Sequence, residues 1–101
     1  MKLVITVEEV KGRCPVYKEG DKIVLDRGYQ VNLQETTCIC MHSLAAMMPW
    51  YVAIAKGIEP RKMGLARAGS QDNKAYVHCP DPCEITGGGT TVFSILRVED
   101  S

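Results

Sequence analysis

The sequence predicts an α+β domain: a four-stranded, mainly antiparallel sheet in the order β-β-α-β-β, with one long helix over 38–56 laid across a face. Three observations predict it. Apolar and polar residues alternate near the start of the chain and again near residue 75, which is the period of a half-buried strand. Residues 36 to 55 contain no Asp, Glu, Lys or Arg and repeat apolar side chains at spacings of three and four. Only one such stretch exists, whereas a doubly wound parallel sheet needs a helix after most of its strands. The 101 residues fit one domain, 1–101, with no internal repeat and no linker.

Each element has its own signal. Leu3, Ile5 and Val7 alternate with Val4, Thr6 and Glu8, a β-branched pattern that predicts a strand over 3–10. Gly12 and Cys14-Pro15 break it. Gly20-Asp21 predicts a turn, which feeds a short strand at Lys22-Ile23-Val24-Leu25 and stops at Gly28. Residues 29 to 35 carry no clear pattern. Thr36 or Thr37 is placed to cap a helix through its hydroxyl. Cys40, Leu44, Met47, Tyr51 and Ala55 then line one helical face. Pro49, which has no N–H and clashes one turn back, predicts a kink or a split. Gly57 ends the helix, and Pro60 begins a short turn that Gly64 stops. Residues 67 to 74 are a polar connector. A strand then follows over 74–79, with Ala75, Val77 and Cys79 inward and Tyr76 and His78 outward. Pro80-Asp81-Pro82 is a stiff turn, Gly87-Gly88-Gly89 a flexible one, and residues 90 to 98 the closing strand.

Composition narrows the function classes. Twelve Lys plus Arg balance twelve Asp plus Glu, so there is no basic footprint for nucleic acid and no polybasic pull to a membrane. The uncharged stretch is of borderline length for a membrane span, but His42, Ser43 and Pro49 argue against one. The apolar run at the start is cut short by Glu8 and Glu9, unlike a secretory signal, so the expected location is the cytoplasm. There thiols stay reduced, and five cysteines, an odd number, exclude a complete disulfide framework.

The cysteines are the chemical lead. Cys14, Cys38, Cys40, Cys79 and Cys83, with His42 and His78, make seven soft ligands in a small chain. Zinc takes four such groups in a tetrahedron. Neither dense patch, 38–42 or 78–83, has the C-x-x-C spacing of a zinc ribbon. On a helix Cys38 and His42 share a face while Cys40 lies on the other side. A thiol-redox role is the other chemical reading, since Cys38 and Cys40 would sit near the positive end of a helix, where thiolate is favoured. Against both stands plain burial, because free cysteines pack as small hydrophobes. Other candidates fall. The glycine-rich 87–90 segment precedes a strand and lacks the Lys of a phosphate loop, and no serine nucleophile motif exists.

The segments Cys14-Pro15-Val16-Tyr17-Lys18-Glu19-Gly20-Asp21, Cys40-Met41-His42-Ser43-Leu44, Pro49-Trp50-Tyr51-Val52-Ala53, and Cys79-Pro80-Asp81-Pro82-Cys83 through Gly87-Gly88-Gly89-Thr90 carry a resemblance. Together they resemble a family of small bacterial and archaeal proteins of unknown function, over nearly the whole chain. The resemblance brings no activity with it. A more divergent branch of that family is similar only at Cys14-Pro15, Gly20-Asp21, Cys40, and Cys79 with Asp81. Cys38, His42 and Cys83 have no counterpart in that branch, which implies a cluster of Cys14, Cys40 and Cys79 rather than the denser patches; Asp81 or His42 is the candidate fourth ligand in this chain. Zinc or iron is the metal such a cluster would suit.

Two functions are therefore expected in parallel. One is a small cytosolic protein with a cysteine-lined metal or thiol site. The other is a non-catalytic homo-oligomeric or small-ligand-binding domain whose cysteines only pack. A homo-oligomer, most simply a dimer, is expected because one sheet face covers only one side of the 36–55 stretch. Ile39, Met48, Trp50 and Ile54 are left without cover, and apolar patches beyond a few hundred Å² are rare on monomers.

Overall fold

The computed structural model describes residues 1–100. Five strands form a single antiparallel sheet: β1 (Lys2–Gly12), β2 (Lys22–Asp26), β3 (Gln30–Val31), β4 (Ala75–His78) and β5 (Gly89–Val98), in the order β3-β2-β1-β5-β4. Two short helices, α1 (Met41–Met47) and α2 (Tyr51–Ala55), and a 3₁₀ turn over Pro60–Met63 lie between β3 and β4. Among the described residues, no helix is long and apolar enough to cross a membrane.

The expected four strands are present, and their alternation decides what they bury. Leu3, Ile5 and Val7 of β1, Ile23 and Leu25 of β2, Ala75 and Val77 of β4, and Phe93 and Ile95 of β5 are all buried on one face. Register aligns Ile23, Ile5, Ile95 and Ala75 in a row across four strands, and Val7, Phe93 and Val77 in the next. Cross-strand neighbours of this kind are the unit of sheet stabilisation. Tyr17, Met47 and Ile54 close the cluster from the other side.

Three expectations are corrected. The sheet has five strands, not four, because Gln30 and Val31 pair with Asp26 and Leu25. Two residues are too few to show a period, so only the backbone ladder reveals β3. The long helix over 38–56 is not formed. Thr36 and Thr37 do not cap a helix; their hydroxyls accept the backbone N–H groups of Val24 at 3.0 Å and Lys22 at 3.1 Å. That holds the chain extended along the free side of β2, and Cys40 is still extended at φ −108°, ψ 138°. Helix therefore starts only at Met41. At the other end Pro49 supplies no N–H, and α1 and α2 are separate elements on either side of it. The third correction concerns the inward face, which runs through Ser43, Met47 and Ile54. Ile54, expected to lack cover, is buried, and Trp50 packs against the core; Ile39 and Met48 are exposed.

Helix α2 ends as the sequence predicts. Gly57 sits at φ 89°, its N–H bonds to Ile54 and that of Ile58 to Ala53, the paired closure that a left-handed residue allows.

The strand pairing has one irregularity that matters for function. Val7 pairs with Phe93 but Glu9 pairs with Val92, so Glu8 has no partner on β5. An extra residue in one strand reverses which side chains face the core. Before Glu8 the odd residues of β1 face inward; after it Val10 and Gly12 lie opposite the inward Thr91 and Gly89. Glu8 itself is held on the outer face, its carboxylate accepting from the Ser94 hydroxyl at 2.6 Å and facing Lys74 at 3.6 Å.

Ile95→Ala tests the core row directly. Ile95 is fully buried between Ile5 and Ala75. Urea unfolding should show a loss of about 2–5 kcal/mol, the range for deleting a well-packed large aliphatic side chain. A loss below about 1 kcal/mol would mean that this row is not the packed centre.

Candidate functional site

Beyond β1 the chain must turn back to reach β2, and the turn crosses β5. The crossing is possible because residue 89 is glycine. A Cβ there would lie 2.5 Å from the Arg13 carbonyl carbon, 2.6 Å from its oxygen and 2.6 Å from the Cys14 nitrogen. With no side chain in the way, Arg13 and Cys14 pass directly over the start of β5, and Cys14 comes down on the core face beside Thr91. Farther on, Gly20 donates to the Val7 carbonyl at 2.9 Å and the Asp21 carbonyl accepts from Val7 at 2.8 Å, which fastens the returning loop.

Tyr17 anchors that loop from inside. Its ring stands edge-on to Phe93 with centroids 5.5 Å apart, a favourable arrangement for two aromatic quadrupoles. Its hydroxyl accepts from the Cys40 N–H at 2.8 Å and bonds the Ser43 hydroxyl at 2.7 Å. Ser43 is also bonded to the Cys40 carbonyl, and the Tyr17 hydroxyl reaches the Cys38 carbonyl at 3.4 Å. Burial pushes the Tyr17 phenol up, which keeps it protonated and able to fill this role. The start of α1 is thereby tied to the 13–19 loop.

These connections enclose a pocket of about 270 Å³. Cys14, Cys40 and Cys79 all line it, and so do His42 and Asp81. Cys14 enters from the crossing loop, Cys40 from the residue before α1, and Cys79 from the end of β4. Tyr17, Ser43, Thr91 and Phe93 are among the buried residues of the wall, as is Cys79. The other three soft ligands are elsewhere. The Cys38 thiol points at the Val16 carbonyl at 3.4 Å. Cys83 lies against the Gly88 carbonyl at 3.5 Å, and His78 is on the exposed face of β4.

Sharing a pocket is not the same as sharing a metal. Among the described residues, no three His, Cys, Asp or Glu side chains are grouped closely enough to hold a metal ion. A tetrahedral zinc site needs sulfurs about 4 Å apart, since each Zn–S bond is about 2.3 Å.

The electrostatics single out one thiol. Burial pushes Cys14 up, but the backbone N–H groups of Tyr17 and Val16 and the Thr91 hydroxyl outweigh it and leave the thiol below its ordinary range. The Tyr17 N–H lies 3.4 Å from the sulfur. Cys38 goes the other way: burial raises it, and the negative charges of Asp21 and Cys14 raise it further. Cys38 stands outside α1, Cys40 at its boundary, and the favoured thiolate is Cys14, in a loop.

Asp81 has its own cradle. The Thr86 hydroxyl and the Cys83 N–H, the latter at 2.8 Å, hold its carboxyl below the usual range, and His42 across the pocket adds to the effect. Its own N–H reaches the Cys79 sulfur at 3.5 Å. Gly88 permits this packing, since a Cβ there would lie 2.7 Å from the Asp81 carboxylate. Sequence reasoning named the cysteines, His42 and Asp81. It gave no role in the site to Thr91, Tyr17 and Ser43, which carry no motif, and it read Gly88 and Gly89 merely as turn residues.

Gly89→Ala should disturb the site more than the fold around it. The added methyl meets backbone atoms, which cannot swing aside, so the 13–14 crossing must lift off β5. Overpacking of this kind costs about 1–3 kcal/mol in urea unfolding. Cys14 should also lose its preference for thiolate, read as slower alkylation at neutral pH. Unchanged Cys14 reactivity in a folded Gly89→Ala protein would mean that the crossing does not position the thiol.

No family model, curated protein or solved structure matches this chain.

Proposed function

We propose that the pocket is a thiol site in which Cys14 is the reacting group. One observation carries the reading. In a pocket lined by three cysteines, Cys14 alone combines partial exposure with donors aimed at its sulfur. The thiolate, not the thiol, is the nucleophile, so donors that stabilise it raise the reactive fraction near neutral pH. Of the two cysteine chemistries the sequence allows, this geometry supports thiol chemistry over a preformed zinc or iron centre. The resemblance to the small bacterial and archaeal family is in keeping with it at Cys14, Cys40 and Cys79 and adds no reaction. Five free thiols suit the cytoplasm, where they stay reduced.

Alkylation with iodoacetamide across pH 5 to 10, read by peptide mass spectrometry, tests the proposal. Because its folded pKa is lowered, Cys14 gains thiolate at lower pH than a free cysteine and loses it only as pH falls through that value. Its rate should therefore reach half-maximum at the lowest pH of the five thiols, and Cys38 should lag behind. Cys14 labelling no earlier than Cys38, or stoichiometric zinc or iron in protein purified untagged, anaerobically and reduced, overturns the reading.

A second reading, a self-associating domain, is favoured by a separate observation. Ile39, Met41, Met48 and Val52 are exposed along the outer side of the α1–α2 segment, with Met48 at 57%. A two-fold dimer would cover them. Sedimentation equilibrium at micromolar concentration should then give twice the 11.1 kDa chain mass. Met48→Glu, rather than a change at the core-packed Trp50, should return it to monomer. A native chain that sediments as a clean monomer contradicts the dimer.

A further inference from the structure

We infer that Cys79 is the resolving partner of Cys14, so that the pocket exchanges its two thiols for an internal disulfide at the expense of a low-molecular-mass disulfide. The inference rests on the thiol reading of Cys14 and adds to it a partner, a co-reactant and an order of events.

Thr91 joins the two cysteines. It is buried in β5, and its carbonyl accepts the Cys79 N–H at 2.8 Å, one step beyond the paired His78 and Val92. Directly opposed residues of an antiparallel pair send their side chains to the same face, with Cα atoms about 5.5 Å apart when hydrogen-bonded. Thr91 and Cys14 line the same pocket, and the Thr91 hydroxyl is among the groups that favour the Cys14 thiolate. Both thiols therefore flank one threonine side chain on the core face of the sheet. Disulfides span Cα separations of about 4.4–6.8 Å, so closing the bond requires the 13–16 loop to carry Cys14 past Thr91 toward β4, across the pocket both thiols line. Cys14 is the member able to move, because it lies in a loop, whereas Cys79 is held by the ladder to β5. Cys40 is less suited. Its own N–H is fixed to the Tyr17 hydroxyl, on the wall formed by α1.

Exposure sets the order. Cys14 is half-buried and open to a reagent entering the pocket, while Cys79 is only 9% exposed. The Cys14 thiolate attacks one sulfur of the external disulfide, forming a Cys14 mixed disulfide and releasing one thiolate. Cys79, whose sulfur receives the Asp81 N–H as it becomes thiolate, attacks the Cys14 sulfur. The external group leaves as a second thiolate. The Cys79 proton and one proton from water neutralise the two leaving thiolates. The external disulfide is thereby reduced to two thiols, and the protein dithiol is oxidised to Cys14–Cys79.

Reduced, intact protein incubated with glutathione disulfide under nitrogen, quenched in acid, alkylated and digested, tests this. The native chain should lose two hydrogens and yield a peptide that links Cys14 to Cys79, with fragmentation separating Cys79 from Cys83. Cys79→Ser, or Cys79→Ala should the first not fold, should stop at one glutathione on Cys14. A native chain that also stops there overturns the inference, as does a predominant link from Cys14 to Cys38 or Cys40. Rapid iodoacetamide labelling of Cys14 without the internal disulfide removes Cys79 alone and leaves the thiol reading standing. A Cys14 inert to both reagents removes both.

Discussion

Glu8 is the one residue of β1 between Lys2 and Gly12 that lacks a partner on β5, and the candidate site is a consequence of that extra residue. A strand of unbroken register would carry Leu3, Ile5 and Val7 inward and then continue with residues 9, 11 and 13. The insertion shifts this to Val10 and Gly12, so Cys14 arrives on the same side as Phe93 and Thr91. The shift is stabilised locally. On the outer face, the Glu8 carboxylate takes the Ser94 hydroxyl, which is otherwise a buried polar group without a partner. Gly89 then supplies the space for the crossing. A bulge in β1 and a missing Cβ do together what neither would do alone.

The chemistry of Cys14 follows from backbone, not from charge. The chain is electrically neutral, no Lys or Arg pairs with the sulfur, and the charge that acts on Cys14, Asp21, opposes thiolate. Two amide N–H groups and one hydroxyl overcome both that charge and burial. Cys38 feels the same Asp21 without comparable donors and moves in the opposite direction. Hydrogen bonds to a charged group outrank a more distant screened charge, which is why two neighbouring thiols diverge. The same logic holds for Asp81, whose donors come from its own loop.

Period and punctuation made much of the fold legible. Alternation located two strands and the neighbouring turns two more, Pro49 marked the break between the helices, and the Gly57 and Gly64 stops fell where the sequence puts them. The length of the helix was not legible. Thr36 and Thr37 look like caps, but their hydroxyls serve β2, a choice that depends on a strand ten or more residues away. β3 was invisible for the same reason, being defined by its partner. At the site, the five cysteines and His42 are chemically conspicuous, but the choice of Cys14, Cys40 and Cys79 with Asp81 rests on the resemblance to the small bacterial and archaeal family. The bulge at Glu8 leaves no mark in composition, and the thiolate cradle consists of amide groups that every residue but proline carries. The metal reading came from counting soft ligands, which says nothing about whether their sulfurs lie close enough to share one ion.

The central claim is that the crossing loop makes Cys14 the most acidic thiol of the chain. A ¹³C NMR titration of cysteine-Cβ-labelled protein, kept reduced and with each resonance assigned by a single Cys→Ser change, measures this without any reagent entering the pocket. The account predicts that the Cys14 resonance moves to its thiolate position at the lowest pH of the five, and that Cys38 titrates above an ordinary cysteine. A Cys14 resonance that titrates together with or above Cys38 would contradict it.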